Sequence, residues 1–359
     1  MTNTNVENKN RIWLVTGAAG FLGSEICRQL NRRGERIRAF VMPRDPGVRY
    51  LPENTEVVYG DLLNKDSLEE FFTVKEGEET VCLHIASIVS VAEGYSQKVM
   101  DVNVQGTRNV IDMCLKHHEC RKMVYCSSTG AIPELPKGQI IKAVDHYYPA
   151  DEKTVRGCYS QSKAAATQRV LDAVHDKGLN ACIIFPSGIL GPGDNAVGGI
   201  TKTLAQIANG EMKGGIDGAF NLCDVRDLAS AAISAINHGE TGRCYVLGNA
   251  PVKFKDFSKM IENETGIPGA KFFLPAWLAD FIASISEWNA KRTGKKPVLT
   301  RFEIYNLTRN NVFDSTLAKV DLGYTTRPYQ ETIHDEVAWM KERGLIKGVE
   351  AGVKAGAAE

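Results

Sequence analysis

The sequence predicts an α/β fold built on a doubly wound parallel sheet, with a smaller C-terminal substrate-binding domain. Three observations carry this. Short apolar, β-branched runs alternate with segments of helical period through the first half of the chain. Runs such as Val81-Cys82-Leu83 are apolar at consecutive positions, as strands covered on both faces require. A glycine-rich turn directly follows the first run.

Taken in order, Ile12–Thr16, Ile37–Val41, Glu56–Tyr59, Thr80–His84, Lys122–Cys126 and Ala181–Phe185 read as strands. Between them, Leu22–Arg33, Ser67–Phe72, Val99–Lys116 and Ser160–Asp176 carry the helical period. Gly188–Asn195 is rich in Gly and Pro and reads as a loop. Val225–Asn237 then reads as a helix, Arg243–Leu247 as a strand returning to the sheet, and Glu331–Glu342 as a closing helix. The expected division is a dinucleotide-binding domain over 1–185 and 223–250, a substrate-binding domain over 186–222 and 251–345, and a flexible tail over 346–359.

Composition narrows the function. In 359 residues, 43 Lys and Arg balance 43 Asp and Glu, so no basic footprint for nucleic acid exists. A hydrophobic fraction of 43% excludes disorder of the whole chain. The remaining class is a globular protein with a small-molecule site. The nine cysteines are scattered without a C-x-x-C pair and read as buried thiols. His117-His118-Glu119-Cys120 has no second ligand pair at suitable spacing, so no metal is expected. The polar start, Met1 to Asn10, has no apolar leader core, which points to a reducing, cytoplasmic setting. No apolar stretch reaches the roughly 18–20 residues of a transmembrane segment.

The sharpest local pattern is Thr16-Gly17-Ala18-Ala19-Gly20-Phe21-Leu22-Gly23, between the first strand and the first helix. Gly17 would make the tight turn, Gly20 would admit a pyrophosphate, and Gly23 would let helix pack on strand. The anion would then sit on free N–H groups of Phe21, Leu22 and neighbours at the positive helix end. This is the Rossmann-type dinucleotide arrangement. The second strand ends in Met42-Pro43-Arg44, with no acid for a ribose diol. Arg44 can instead meet a 2′-phosphate, which favours NADP over NAD. Asp61 and Leu62, after the third strand, fall where a carboxylate could reach the adenine edge.

Tyr159 and Lys163 lie one helical turn apart. A phenol with a pKa of about 10 is a poor acid–base group at neutral pH, and a neighbouring ammonium would lower that value. At the end of the fifth strand, Ser127-Ser128 offers a hydroxyl beyond a strand's carboxyl end, with Ser128 preferred as the substrate-oxygen partner.

Together these residues resemble the extended short-chain dehydrogenase/reductase family, which includes NAD-dependent epimerases and dehydratases. The resemblance runs from about Arg11 to Arg343 and includes His84-Ile85-Ala86-Ser87, Asn103-Val104-Gln105-Gly106-Thr107, Phe185-Pro186-Ser187-Gly188 and Asp224-Val225-Arg226-Asp227. It implies Ser128, Tyr159 and Lys163 as the catalytic trio, Ala86 and Ser87 along the cofactor, and Pro186 beside the nicotinamide. Phe185 stands where many relatives carry Arg. Pro297-Val298-Leu299-Thr300-Arg301 and Leu322-Gly323-Tyr324 are similar to the dihydroflavonol reductase and 3β-hydroxysteroid dehydrogenase branch. That branch implies hydride transfer at a carbonyl or secondary alcohol of an apolar, ring-bearing substrate. A nucleotide-sugar epimerase is the alternative, and a homodimer is the family expectation. Trp277, Leu278, Phe281, Ile282, Ile285 and Trp288 fall near one helical face, and core or lid packing is the first expectation for them, with a substrate-facing lid or contact with a membrane surface as the alternatives.

Overall fold

The structure is a computed structural model and describes residues 10–90, 94–293 and 300–347. The chain's first nine residues, Pro297-Val298-Leu299 and residues 348–359 of the expected tail lie outside the described residues.

Seven strands form one parallel sheet: β1 (Arg11–Thr16), β2 (Arg36–Val41), β3 (Glu56–Tyr59), β4 (Glu79–His84), β5 (Cys120–Cys126), β6 (Ala181–Pro186) and β7 (Cys244–Leu247). Their spatial order is β7-β6-β5-β4-β1-β2-β3, so the winding direction reverses between β1 and β4. A reversal of this kind opens a crevice beyond the strands' carboxyl ends. Helices α1 (Phe21–Arg32), α2 (Lys65–Phe72), α3 (Gly106–Lys116), α4 (Cys158–Lys177) and α5 (Val225–His238) make the crossovers.

The continuous apolar runs are explained by two cores. Ile12, Leu14, Cys82, Met123 and Ile183 face α2, α3 and α4 on one side. The intervening Trp13, Val15, Val81, Leu83, Val124 and Ile184 face α1 and α5 on the other. Alternate residues of each strand therefore leave water on opposite faces, and neither face can be polar.

Two local expectations are corrected. Val99–Lys116 is not one regular helix: Gln97–Met100 runs into a π-turn at Asp101–Gln105 before α3 begins. The extra residue in that turn places Asn103 in the interior, 1% exposed. Gly188–Asn195 is not wholly loop, because Gly188–Leu190 forms a short strand whose Gly188 N–H donates to the Asn221 carbonyl at 3.0 Å.

The chain forms two compact units: Met1–Ile189 with Asn221–Pro251 and Arg309–Thr326, and Leu190–Phe220 with Val252–Thr308 and Arg327–Glu359. The segment Arg309–Thr326, placed by sequence in the substrate-binding domain, thus belongs to the sheet unit. Its anchor is Asn310, whose buried amide donates to the carbonyls of Leu135, Pro136 and Gln139 at 3.1, 3.1 and 2.8 Å. In the second unit, Gly214–Ile216 pairs parallel with Phe272–Leu274, and Ala219–Phe220 antiparallel with Val252–Lys253. Phe220 meets Phe254 and Phe257 edge-on. All nine cysteines are free thiols. No described helix is long and apolar enough to cross a membrane, and the described residues hold no cluster suited to a metal.

Candidate active site

The turn between β1 and α1 is shaped by backbone crowding. Gly17 has φ +67°, a left-handed value that disfavours a side chain, and a Cβ there would lie 2.7 Å from Ala86 Cα. At Gly23 a Cβ would lie 2.1 Å from the Gly17 carbonyl oxygen. The turn closes through Gly20 N–H donating to Gly17 C=O at 3.0 Å. No side chain caps α1, and no acid occupies its first turn, so the positive helix end is open to an anion. Leu22 is buried, while Phe21 is half-buried.

A polar chain behind this turn escaped the sequence reading. Thr16 Oγ1 lies 2.7 Å from His84 Nδ1 and accepts the N–H groups of Ile85 and Ala86 at 3.2 Å each. His84 Nε2 lies 2.9 Å from Thr107 Oγ1, which donates its proton to the Asn103 carbonyl at 2.6 Å. Donor counting then assigns the tautomer: Thr107 has spent its proton, so His84 Nε2–H must donate to it, and Thr16 must donate to Nδ1. The Asn103 amide accepts Ile88 N–H at 2.7 Å and donates to Ser162 Oγ at 2.9 Å. Ser162 Oγ donates in turn to the Tyr159 carbonyl at 2.6 Å. The loop carrying Ala86 and Ser87 and the start of α4 are therefore tied to one buried amide. A polar residue closing an apolar strand, as His84 does, was the available signal.

Burial, with the Lys163 charge adding, pulls the His84 pKa from 6.5 to about 3. The unfolded chain binds this proton near pH 6.5 and the folded chain only near 3, so stability falls as pH drops through that window. The expected loss from this group is about 2 kcal/mol between pH 7 and 5. Urea midpoints at the two pH values should show it, and His84→Gln should flatten the difference. An equal slope in the variant would remove His84 as the cause.

Ser127 and Ser128 separate cleanly. Ser127 is buried, 2.7 Å from Thr167 Oγ1, which has given its proton to the Lys163 carbonyl; the Ser127 hydroxyl is therefore committed as donor. Ser128 is half-buried, accepts Gly130 N–H at 3.1 Å, and stands close enough to the Tyr159 phenol to lower its pKa. Lys163 is 2% exposed, donates from Nζ to the Cys126 carbonyl at 2.6 Å, and lies 5.1 Å from the Tyr125 ring centroid.

The electrostatics differ from the expectation. Burial holds the Tyr159 phenol above its ordinary range and the nearby Cys126 raises it further, while Ser128 lowers it. Lys163 is not what sets it, because its ammonium is turned onto the Cys126 carbonyl. Burial draws Lys163 itself down to about 8, which leaves it cationic at neutral pH. The pair is thus a neutral phenol and a buried cation on successive turns of α4.

The remaining candidates follow the sheet's carboxyl edge. Arg44, just past β2, is exposed in a left-handed conformation, φ 65°, and engages no partner among the described residues. Asp61 is exposed and caps its own turn by accepting Leu63 N–H at 2.9 Å. Leu62 is buried beside Gly106, and its carbonyl accepts from Asn109 at 2.8 Å. Pro186 ends β6 in a buried position. Phe185 is fully buried and stacks on Tyr148 at 5.1 Å, so this position serves the core. Direct proximity unites Gly17 with Ala86 and Ser128 with Tyr159, and the loop just past Arg44 meets the glycine turn at Gly47, where a Cβ would lie 2.4 Å from the Ala19 carbonyl oxygen.

Known proteins are similar to this chain in sequence and fold. The model of the 3-beta hydroxysteroid dehydrogenase/isomerase family matches residues 14–276. Sterol demethylase protein B of Methylococcus capsulatus is 30% identical over 336 residues, 93% of this chain and 99% of that protein. The decarboxylating sterol-4-alpha-carboxylate 3-dehydrogenase of Saccharomyces cerevisiae is 29% identical, over 92% of this chain and 97% of the yeast protein. The crystal structure of gox2253 superposes with a TM-score of 0.81 at 30% identity, covering 95% of this chain and all of the other. A match that begins within β1 and ends at Ala276, on relatives aligned almost end to end, makes this chain a dehydrogenase/reductase of the 3-beta hydroxysteroid dehydrogenase/isomerase family, within the extended short-chain dehydrogenases/reductases.

Proposed function

We propose that the protein is an NADP-preferring oxidoreductase acting at a secondary alcohol or carbonyl of a steroid-like, apolar ring substrate. The observation that carries it is the Ser128 hydroxyl beside the Tyr159 phenol, whose pKa it lowers, with the Lys163 cation one turn further along α4. Relatives named for sterol chemistry support the substrate class.

The residues fit a dinucleotide. Gly17 and Gly23 leave no space for a Cβ, and the α1 end offers free N–H groups with no competing acid. The β1–α1 turn would hold the diphosphate, Arg44 a 2′-phosphate, and Lys163 the nicotinamide ribose. A bound nicotinamide supplies or accepts the hydride. In the reducing direction Tyr159 gives its phenolic proton to the substrate oxygen, which Ser128 orients. In the oxidising direction the Tyr159 phenolate takes that proton back, and Ser128 is the side chain that favours the phenolate.

Incubation with a 3β-hydroxysterol and each oxidised cofactor tests the reading. A net rise in reduced-nicotinamide absorbance is expected. Turnover of a sugar nucleotide without net absorbance change would establish the epimerase instead. Arg44→Ala should weaken NADP about tenfold and leave NAD unchanged by calorimetric titration; equal effects on both would reassign Arg44.

A further inference from the structure

The helix Ala276–Thr293 is apolar on two sides, and only one of them is covered by its own unit. Ala279 and Ala283 are buried with Ile216 and Ile304. The large side chains point the other way: Trp277 is 72% exposed, Phe281 61%, Ile285 52% and Trp288 61%. Spacings of four, four and three residues align them in one stripe along the helix. Core packing, one of the expectations for this stripe, is therefore not what the structure shows. Small alanines permit the close approach, and the bulky rings are left outside.

Charge says what covers the stripe. The helix has two acids. Asp280 accepts from Arg301 Nε at 2.9 Å, and Glu287 accepts Arg301 N–H at 2.8 Å. Both are engaged by the helix Arg301–Thr308. Arg292 is exposed, with its guanidinium 5.6 Å from the Trp288 ring centroid at the end of the stripe. A second copy of the stripe would bring this cation no unengaged acid from the same helix, whereas anionic headgroups supply one. Exposed aromatic rings beside a cation, on a helix that cannot span, suit the boundary between lipid headgroups and acyl chains.

We propose that the Trp277–Trp288 stripe docks on an anionic lipid surface, with the helix lying along it. The proposal does not depend on the substrate reading. Flotation of the full chain with phosphatidylcholine vesicles, with and without phosphatidylglycerol, tests it. The expected result is flotation with the anionic vesicles and a blue shift of tryptophan emission. Trp277→Ser combined with Phe281→Ser and Trp288→Ser should lower vesicle affinity about tenfold or more, with melting temperature and NADP affinity unchanged. Arg292→Glu, at an exposed site that leaves the fold intact, should lower affinity for anionic vesicles and decides the matter should the triple variant not fold. Absence of flotation, or flotation untouched by Arg292→Glu, overturns the proposal. So does a dimer in sedimentation that the triple variant dissolves without any vesicle binding, which would assign the stripe to a second copy of the chain.

Discussion

Tyr159→Phe should lower kcat about a thousandfold while leaving cofactor affinity within about twofold of the parent. The variant keeps the ring and removes only the oxygen that lies beside Ser128 and that is proposed to exchange a proton with substrate. Tyr159 is half-buried, and α4 is held by Lys163 Nζ on the Cys126 carbonyl and by Ser162 on the Tyr159 carbonyl, none of which involves the phenol. A loss confined to kcat is therefore the expected pattern. Ser128→Ala should cost less, about ten- to a hundredfold, because a phenolic donor remains. Stopped-flow turnover paired with cofactor titration separates the two effects. Unchanged kcat in Tyr159→Phe would remove the phenol from the chemistry, and a parallel loss of cofactor binding would make the residue structural.

Gly23→Ala should both destabilise the protein and abolish detectable dinucleotide binding. The added methyl would meet the Gly17 carbonyl oxygen at 2.1 Å and Ala18 Cα at 2.8 Å, both backbone atoms that cannot rotate aside. Helix α1 must then move away from the turn, at an overpacking cost of about 1–3 kcal/mol. Gly20→Ala makes the informative contrast. Its methyl would lie 3.2 Å from the same oxygen, so stability should change little, while the approach of a diphosphate is obstructed. Thermal melts alongside isothermal titration should show two losses for Gly23→Ala and one for Gly20→Ala. Full cofactor affinity in Gly23→Ala would show that the turn does not hold the diphosphate.

The parallel sheet was legible because its physics is local. A strand covered on both faces must be apolar at every position, and β1, β4, β5 and β6 announce themselves that way. The glycine turn and the Tyr159–Lys163 spacing were legible for a similar reason, since each is a short pattern with one steric or chemical purpose. The Thr16–His84–Thr107–Asn103 chain was not, because its members lie on three separate segments and each looks like an ordinary polar residue alone. The π-turn at Asp101–Gln105 leaves the helical period almost intact and shows only in where Asn103 points. The helix Ala276–Thr293 deceived for another reason. Hydrophobic size marks what water disfavours, yet here the smallest residues are the ones that pack inward. The effect of Lys163 on Tyr159 depended on where one ammonium turned, which spacing alone does not determine.

Asn310 has a bearing on how the molecule is made. Its amide holds three carbonyls between Leu135 and Gln139, yet it leaves the ribosome only after the strands β1 to β7 and several helices of the other unit. The nascent sheet unit therefore waits, with that loop unclasped, through synthesis of most of its companion. A chain stopped ahead of Arg309 would carry every strand and every proposed catalytic group and still lack the peg that fastens the connection between β5 and α4.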